Sequence, residues 1–217
     1  GIGIWMLGPA ILDYGNEAQK QQHIRAIING ESRWAQGYSE PGAGSDLASL
    51  QCKAEDQGDH FLVNGSKIWT TAADKCDWIF CLVRTDPNVK QQEGISFLLI
   101  DMDTAGISTT PISLISGESE FCQTFFDNVK VPKENLVGEL NKGWSVAKAL
   151  LVHERKLMAE MGSDSPRQVI DPSTAARTYL EFEDGKIADP QLRSDLVDYN
   201  MHMHAIGLTH FRTFEEE

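Results

Sequence analysis

Basic residues are scarce in this 217-residue chain: 19 Lys and Arg stand against 32 Asp and Glu, a net charge of −13. Such a chain gains no counterion-release affinity for DNA or RNA and is repelled by anionic lipid, so nucleic-acid and membrane-surface binding are poor first readings. Cysteine is scarce as well. Cys52, Cys76, Cys81 and Cys122 form no C-x-x-C pair. A disulfide scaffold and a zinc site are therefore not expected, and a reduced compartment fits better. His202 and His204 are two apart, which on a helix puts them on different faces, so no metal pair is expected. No apolar run nears the ~20 residues of a membrane-spanning helix. The apolar start, Gly1 to Pro9, lacks the basic segment of a signal peptide. The first residue is not Met, which fits a fragment or a processed chain.

What is present is ordinary globular composition, 41% hydrophobic and 24% charged, in a chain long enough for a sizeable core. Three zones follow. Residues 1–33 read as helix: Asn16 and Gln19 have capping-box spacing, apolar positions follow at Ala18, Ile24, Ile27 and Ile28, and Gly30 ends the run. Pro9 is expected to break the segment before it. Residues 34–138 read as strands. Phe61-Leu62-Val63, Asn64-Gly65 and Lys67 to Thr71 give a hairpin signal. Trp78–Val83 and Ile95–Ile100 are continuous apolar runs that suit buried strands, and Ile107–Ile115 and Thr124–Val131 are further candidates. Residues 139–217 return to helix, from Lys142 to Met161 with Gly162 closing, then an irregular connector, then a helix from near Pro190. The fold class is α+β: a central antiparallel β-domain, sandwich- or barrel-like, flanked by helical segments.

Three places carry candidate chemistry. Tyr38-Ser39-Glu40-Pro41-Gly42-Ala43-Gly44-Ser45-Asp46 joins the first zone to the second, and its tight backbone can present free N–H groups to an anion or a polarised carbonyl. A solvent-facing connection has the same composition. Trp69-Thr70-Thr71 offers an indole and hydroxyls suited to the face and edge of a flat heteroaromatic ring; a tryptophan in the β-core is the other reading. Ala147, Leu151, Glu154, Met158 and Met161 are spaced 4, 3, 4 and 3, one face of a helix. A carboxylate on an apolar stripe is tuned toward general-base work. It also suits a buried ion pair, with Arg155 or a partner elsewhere.

Together these residues resemble the acyl-CoA dehydrogenase family. Ser39 to Asp46 looks like the family's first signature. Asn64-Gly65-Ser66-Lys67-Ile68-Trp69-Thr70-Thr71 resembles its N-G-x-K-x-W-x-T strand. Gly94 to Ile107 is similar to its segment ending in an aspartate-rich turn. Phe126 to Pro132, with Asn135 and Gly138, resembles its F-D-x-V-x-V-P-x-x-N-x-x-G, and Gly143-Trp144 opens a helix carrying Glu154-Arg155. The resemblance implies three parts: the end of an N-terminal helical domain (1–33), the central β-domain (34–138) and the start of a C-terminal helical bundle (139–217). It implies FAD as cofactor, with Gln36, Tyr38 and Ser39 at the flavin's pyrimidine side. Trp69 would lie over a ring face, with Thr70 beside it, and Thr71 near the reactive nitrogen. Ser45 would lie along the CoA-thioester arm and Arg155 beside the acyl pocket. Glu154 matches one of two positions the family uses for its base; the other lies beyond this chain.

The implied reaction is α,β-dehydrogenation of an acyl-CoA to the 2-enoyl-CoA, in fatty-acid or related catabolism. The implied electron acceptor is electron-transfer flavoprotein. The implied assembly is a homodimer or homotetramer in the bacterial cytoplasm or mitochondrial matrix. The chain is then a fragment lacking both ends, expected to be inactive alone. An acyl-CoA oxidase or flavin monooxygenase would share this fold. A non-catalytic β-module for protein interaction is the alternative of another class.

Overall fold

The computed structural model describes residues 1–163 and 170–215, apart from the side chains of 156–163, 210 and 213–215. Two compact units divide the chain, Gly1–Ser163 and Asp164–Glu217. The first holds the two leading compositional zones together with the first helix of the third.

A π-helical turn over Gly3–Leu7 runs directly into α1 (Gly8–Tyr14). Pro9 therefore opens a helix instead of breaking the segment. It sits one residue into α1, directly after the π-helical turn. Next comes α2 (Glu17–Ile28), whose capping box is formed as the spacing implied: the Asn16 side chain accepts from Gln19 N at 2.9 Å and the Gln19 side chain accepts from Asn16 N at 3.1 Å. The strands are β1 (Trp34–Gly37), β2 (Lys53–Asp56), β3 (His60–Thr71), β4 (Trp78–Arg84), β5 (Ile95–Asp101), β6 (Ile107–Ile112), β7 (Phe121–Pro132) and β8 (Leu136–Val137). They form one sheet in the order β6-β7-β3-β2-β4-β5-β8, with β1 paired to β4. Pairing is antiparallel except for β1 and β2 against β4. Helix α3 (Gly143–Ser163) closes this unit, running through Gly162.

The apolar runs of β4 and β5 are continuous because both faces are buried. Phe80, Leu82, Ile95, Phe97 and Leu99 face α1, α2 and α3, in a core with Leu7, Ile11, Val146 and Leu150. Ile79, Cys81, Val83, Leu98 and Ile100 face a second core with Phe61, Val63, Phe126, Val129 and Val131. Each such side chain, fully buried, contributes about 1.5–3 kcal/mol.

The hairpin expected at Asn64-Gly65 does not form; β3 runs straight through it. Instead the ladder with β7 slips at two places, between Val63 and Gly65 and between Lys67 and Thr70. At the first, β7 carries the extra residue, around Asn128 (φ 51°), whose N–H donates to the Asn64 side chain at 2.9 Å. Gly65 has φ 143°, and a Cβ there would lie 2.8 Å from the Cys52 backbone, so the glycine serves close strand approach rather than a turn. At the second, the extra residue is on β3, and Trp69 takes φ 60°. Up to Lys67 the odd-numbered residues Phe61, Val63 and Lys67 point inward; past Trp69 the inward residue is Thr70. The bulge reverses the strand's parity and puts the Trp69 indole outside, 53% exposed. The reading of Trp69 as a core residue is thereby overturned.

The second unit contains α4 (Pro172–Tyr179), N-capped by Asp171, which accepts from Thr174 N at 2.9 Å. A two-stranded ribbon, β9 (Phe182–Glu183) with β10 (Lys186–Ile187), turns at Asp184-Gly185, both with positive φ. The last helix is α5 (Pro190–Glu215). Helix α4 and the ribbon lie where an irregular connector was expected.

Candidate active site

The loop after β1 is tied down by a buried ion pair. Pro41 and Gly42 make a tight turn closed by Glu40 N to Ala43 O at 2.8 Å and Ala43 N to Glu40 O at 3.0 Å. The Glu40 carboxylate accepts from Gln51 N at 2.6 Å, Cys52 N at 2.9 Å and Lys67 Nζ at 2.7 Å. The Lys67 ammonium, fully buried, also donates to Tyr38 O at 3.1 Å. One residue further along β3, Ile68 N donates to Ser39 O at 2.9 Å. Ser39 is thus pinned beside the bulge that turns Trp69 outward. Glu40 and Lys67 were not anticipated as parts of the site. The signal was available in Lys67, a charge sharing strand parity with buried Phe61 and Val63.

The third wall is α3. Its start lies flush on β5: a Cβ on Gly143 would come within 2.4 Å of the Ser96 carbonyl carbon, so only glycine permits this approach. Ala147 is buried, while Leu151 and Glu154 are half-buried on the same face. The stripe positions Met158 and Met161 lie outside the described side chains. The ion-pair reading of Glu154 is not supported: among the described residues neither Glu154 nor Arg155 forms an ion pair.

These elements enclose a cleft of about 390 Å³ lined by Gln36, Tyr38, Ser39, Gly44, Ser45, Leu47, Ile68, Trp69, Trp144, Leu151 and Glu154. The structure therefore gathers Gln36, Tyr38, Ser39, Ser45, Trp69 and Glu154, from separate elements, around one space. Three other candidates stand apart from it. The Thr70 hydroxyl is buried in the sheet, hydrogen-bonded to Cys122 O and to Thr124 Oγ1, each at 2.8 Å, because the bulge points it inward. Thr71 is exposed and lines a different, largely apolar cleft with Gly1, Thr71's neighbour Ala72, and Cys76. Arg155 is exposed on α3 and is not among the lining residues. Leu47, Ile68, Trp144 and Leu151 line the cleft without having been singled out as site residues.

The chemistry of the lining is asymmetric. Leu47, Ile68, Trp144 and Leu151 give an apolar flank, and Glu154 is the carboxylate on it. The Tyr38 ring is fixed by edge-to-face contacts with Phe80 (5.9 Å) and Phe97 (6.4 Å). Burial, then the charge of Glu154, then Cys81, hold the Tyr38 phenol well above its usual range, so it is a neutral donor.

Residues 35–129 match the model of the acyl-CoA dehydrogenase middle domain. This stretch is an acyl-CoA dehydrogenase middle domain. Acyl-CoA dehydrogenase FadE34 of Mycobacterium tuberculosis is 46% identical over 155 residues, covering 71% of this chain and 22% of that protein. Acyl-CoA dehydrogenase FadE29 of the same organism is 42% identical over 161 residues, covering 74% of this chain and 42% of that protein. The solved structure titled Tcur3481-Tcur3483 steroid ACAD G363A variant superposes with a TM-score of 0.85 at 35% identity, over 97% of this chain and 54% of that one. The chain spans less than half the length of these two curated acyl-CoA dehydrogenases and about half of the solved one. Among the described residues no helix is long and apolar enough to cross a membrane.

Proposed function

We propose that the whole protein is an FAD-dependent acyl-CoA dehydrogenase that converts an acyl-CoA thioester to its 2-enoyl-CoA, with Glu154 as the base. The observation that carries this reading is the meeting, in one cleft, of an exposed indole, hydrogen-bonding edge groups and a carboxylate on an apolar flank. The parts follow the same reading: 1–33 ends an N-terminal helical domain, 34–138 is the β-domain and 139–217 begins a C-terminal bundle.

The residues present fit a flavin. A half-exposed indole offers a flat face, and Gln36, Tyr38 and Ser39 offer backbone and side-chain polar groups along one edge. When bound, FAD supplies the hydride acceptor. The remaining work belongs to the chain. The α-C–H of a thioester is weakly acidic, so its removal needs a carboxylate shielded from water and donors for the oxygen where charge develops. Glu154 takes the α-proton, while Leu47, Trp144 and Leu151 exclude water from the acyl group. Ser45, exposed on the loop and lining the cleft, is read as the contact for the thioester arm. The β-hydrogen leaves with its electron pair, so the acyl group loses one proton and one hydride. Electrons then pass to electron-transfer flavoprotein, and the working form is a homo-oligomer.

The test is Glu154→Gln in the full-length enzyme. The expected result is a loss of at least ~10²-fold in turnover with retained flavin, measured with an artificial electron acceptor. Turnover close to the unaltered enzyme would remove Glu154 as base.

A further inference from the structure

Tyr38, expected at the flavin's pyrimidine side, also carries a buried hydroxyl to which the proposed reaction gives no task. Tyr38 is 5% exposed and its hydroxyl has no hydrogen-bond partner among the described residues. A phenylalanine would make the same ring contacts with Phe80 and Phe97 without the cost of a buried, unsatisfied donor. Its edge-to-face contacts with Phe80 and Phe97 orient the ring. Across the same cleft stands Glu154, half-buried on α3, with no ion pair or hydrogen bond among the described residues to fix its carboxylate. Among the described residues lining the cleft, Glu154 is the one anionic acceptor, and a phenol donates to a carboxylate about twice as strongly as to a neutral oxygen.

We propose that Tyr38 is a positioning residue for Glu154, donating its phenolic hydrogen to the carboxylate when the Glu154 side chain turns into the cleft. This deepens the reading of Glu154 as base: the fixed ring sets where the flexible carboxylate comes to rest. A bond donated to the ionised form favours that form and keeps the base ready at lower pH. Burial first, and then the nearby Glu154 charge, keep Tyr38 neutral and so keep the donor in place. Other ionisable groups stand behind or beside the pair. Cys81 lies behind Tyr38, Lys67 bonds the Tyr38 carbonyl and Glu40, and His153 and Arg155 flank Glu154 in sequence on α3.

The experiment uses full-length flavoprotein labelled with [13C]glutamate, the Glu154 resonance being assigned by its loss in Glu154→Gln. Tyr38→Phe keeps the ring, and Tyr38→Leu removes the phenol by a second route. In both, the midpoint of the Glu154 titration and the acidic limb of the kcat/KM profile are expected to move up by about one pH unit. A purely structural role for Tyr38 would lower melting temperature without moving either midpoint. Midpoints unchanged in both variants overturn the proposal. If Glu154→Gln keeps full turnover while the carboxylate midpoint still moves, the base assignment fails and the Tyr38–Glu154 pairing stands.

Discussion

Removing the Lys67 ammonium probes the structure that holds the cleft's loop. Lys67→Met keeps most of the side-chain volume but leaves Glu40 buried with two backbone donors, Gln51 N and Cys52 N, and no bonded countercharge, Arg84 remaining as a more distant one. It also strips the Tyr38 carbonyl of its side-chain donor. The pair is 0% and 7% exposed at 2.7 Å, so solvent does little to screen the loss. Breaking one side of such a pair costs about 3–5 kcal/mol, a large share of the 5–15 kcal/mol that typically separates folded from unfolded chains. The scale is about 2–4 °C per kcal/mol for 150–250 residues and smaller for a longer chain, so the melting temperature should fall by several degrees. Circular-dichroism melts of the full-length protein read this directly. Combining Lys67→Met with Glu40→Gln should cost less than the sum of the two single changes, because the second removes the charge that the first left unpaired. A Lys67→Met protein melting within about 2 °C of the parent would refute this account of a desolvated, tightly coupled pair.

Two further expectations concern ionisation. His23 is 3% exposed, packed edge-on against Trp34 (5.1 Å) and Trp78 (4.9 Å), and its Nε2 has no partner among the described residues. Burial lowers its pKa, so the unfolded chain takes up this proton first, near pH ~6.5. Stability from this group is complete above that pH and is lost as pH falls through it toward the folded value. His23→Phe should flatten the dependence of melting temperature between about pH 7.5 and 5.5; equal slopes in both proteins count against it. Burial also pushes the Cys52 and Cys76 thiols up to about 11. At pH ~8 such thiols carry a few hundred-fold less thiolate than a free cysteine, so iodoacetamide should label them slowly in native protein and rapidly in denaturant. Equal native and denatured rates by mass spectrometry would contradict the burial described.

Much of the architecture was legible because local and long-range preferences agree. Asn16 and Gln19 cap α2 through neighbouring atoms, and β4 and β5 are apolar throughout because they are covered on both faces. The misreadings fall where a short pattern answers to a distant constraint. Asn64-Gly65 has turn composition, yet its glycine is needed for contact with Cys52, twelve or more residues earlier. Pro9 looks like a breaker in isolation but follows a helical turn it can extend. Within the site, Trp69, Ser39 and Glu154 were legible as chemistry. Thr70 was misplaced because period-two counting along β3 takes no account of an inserted residue. The Glu40–Lys67 pair escaped notice because its two members lie 27 residues apart and meet only once the sheet forms.

The extra residue near Trp69 also bears on how such a chain can change. Deleting Ile68 would restore an even ladder between Lys67 and Thr70 and take away the extra residue at which Trp69 adopts φ 60°, so the indole would lose its present direction although Trp69 itself is kept. The flat platform of the cleft thus depends on a count of residues as much as on their identity. A substitution scan of β3 would miss that dependence, whereas a library of single-residue deletions would expose it.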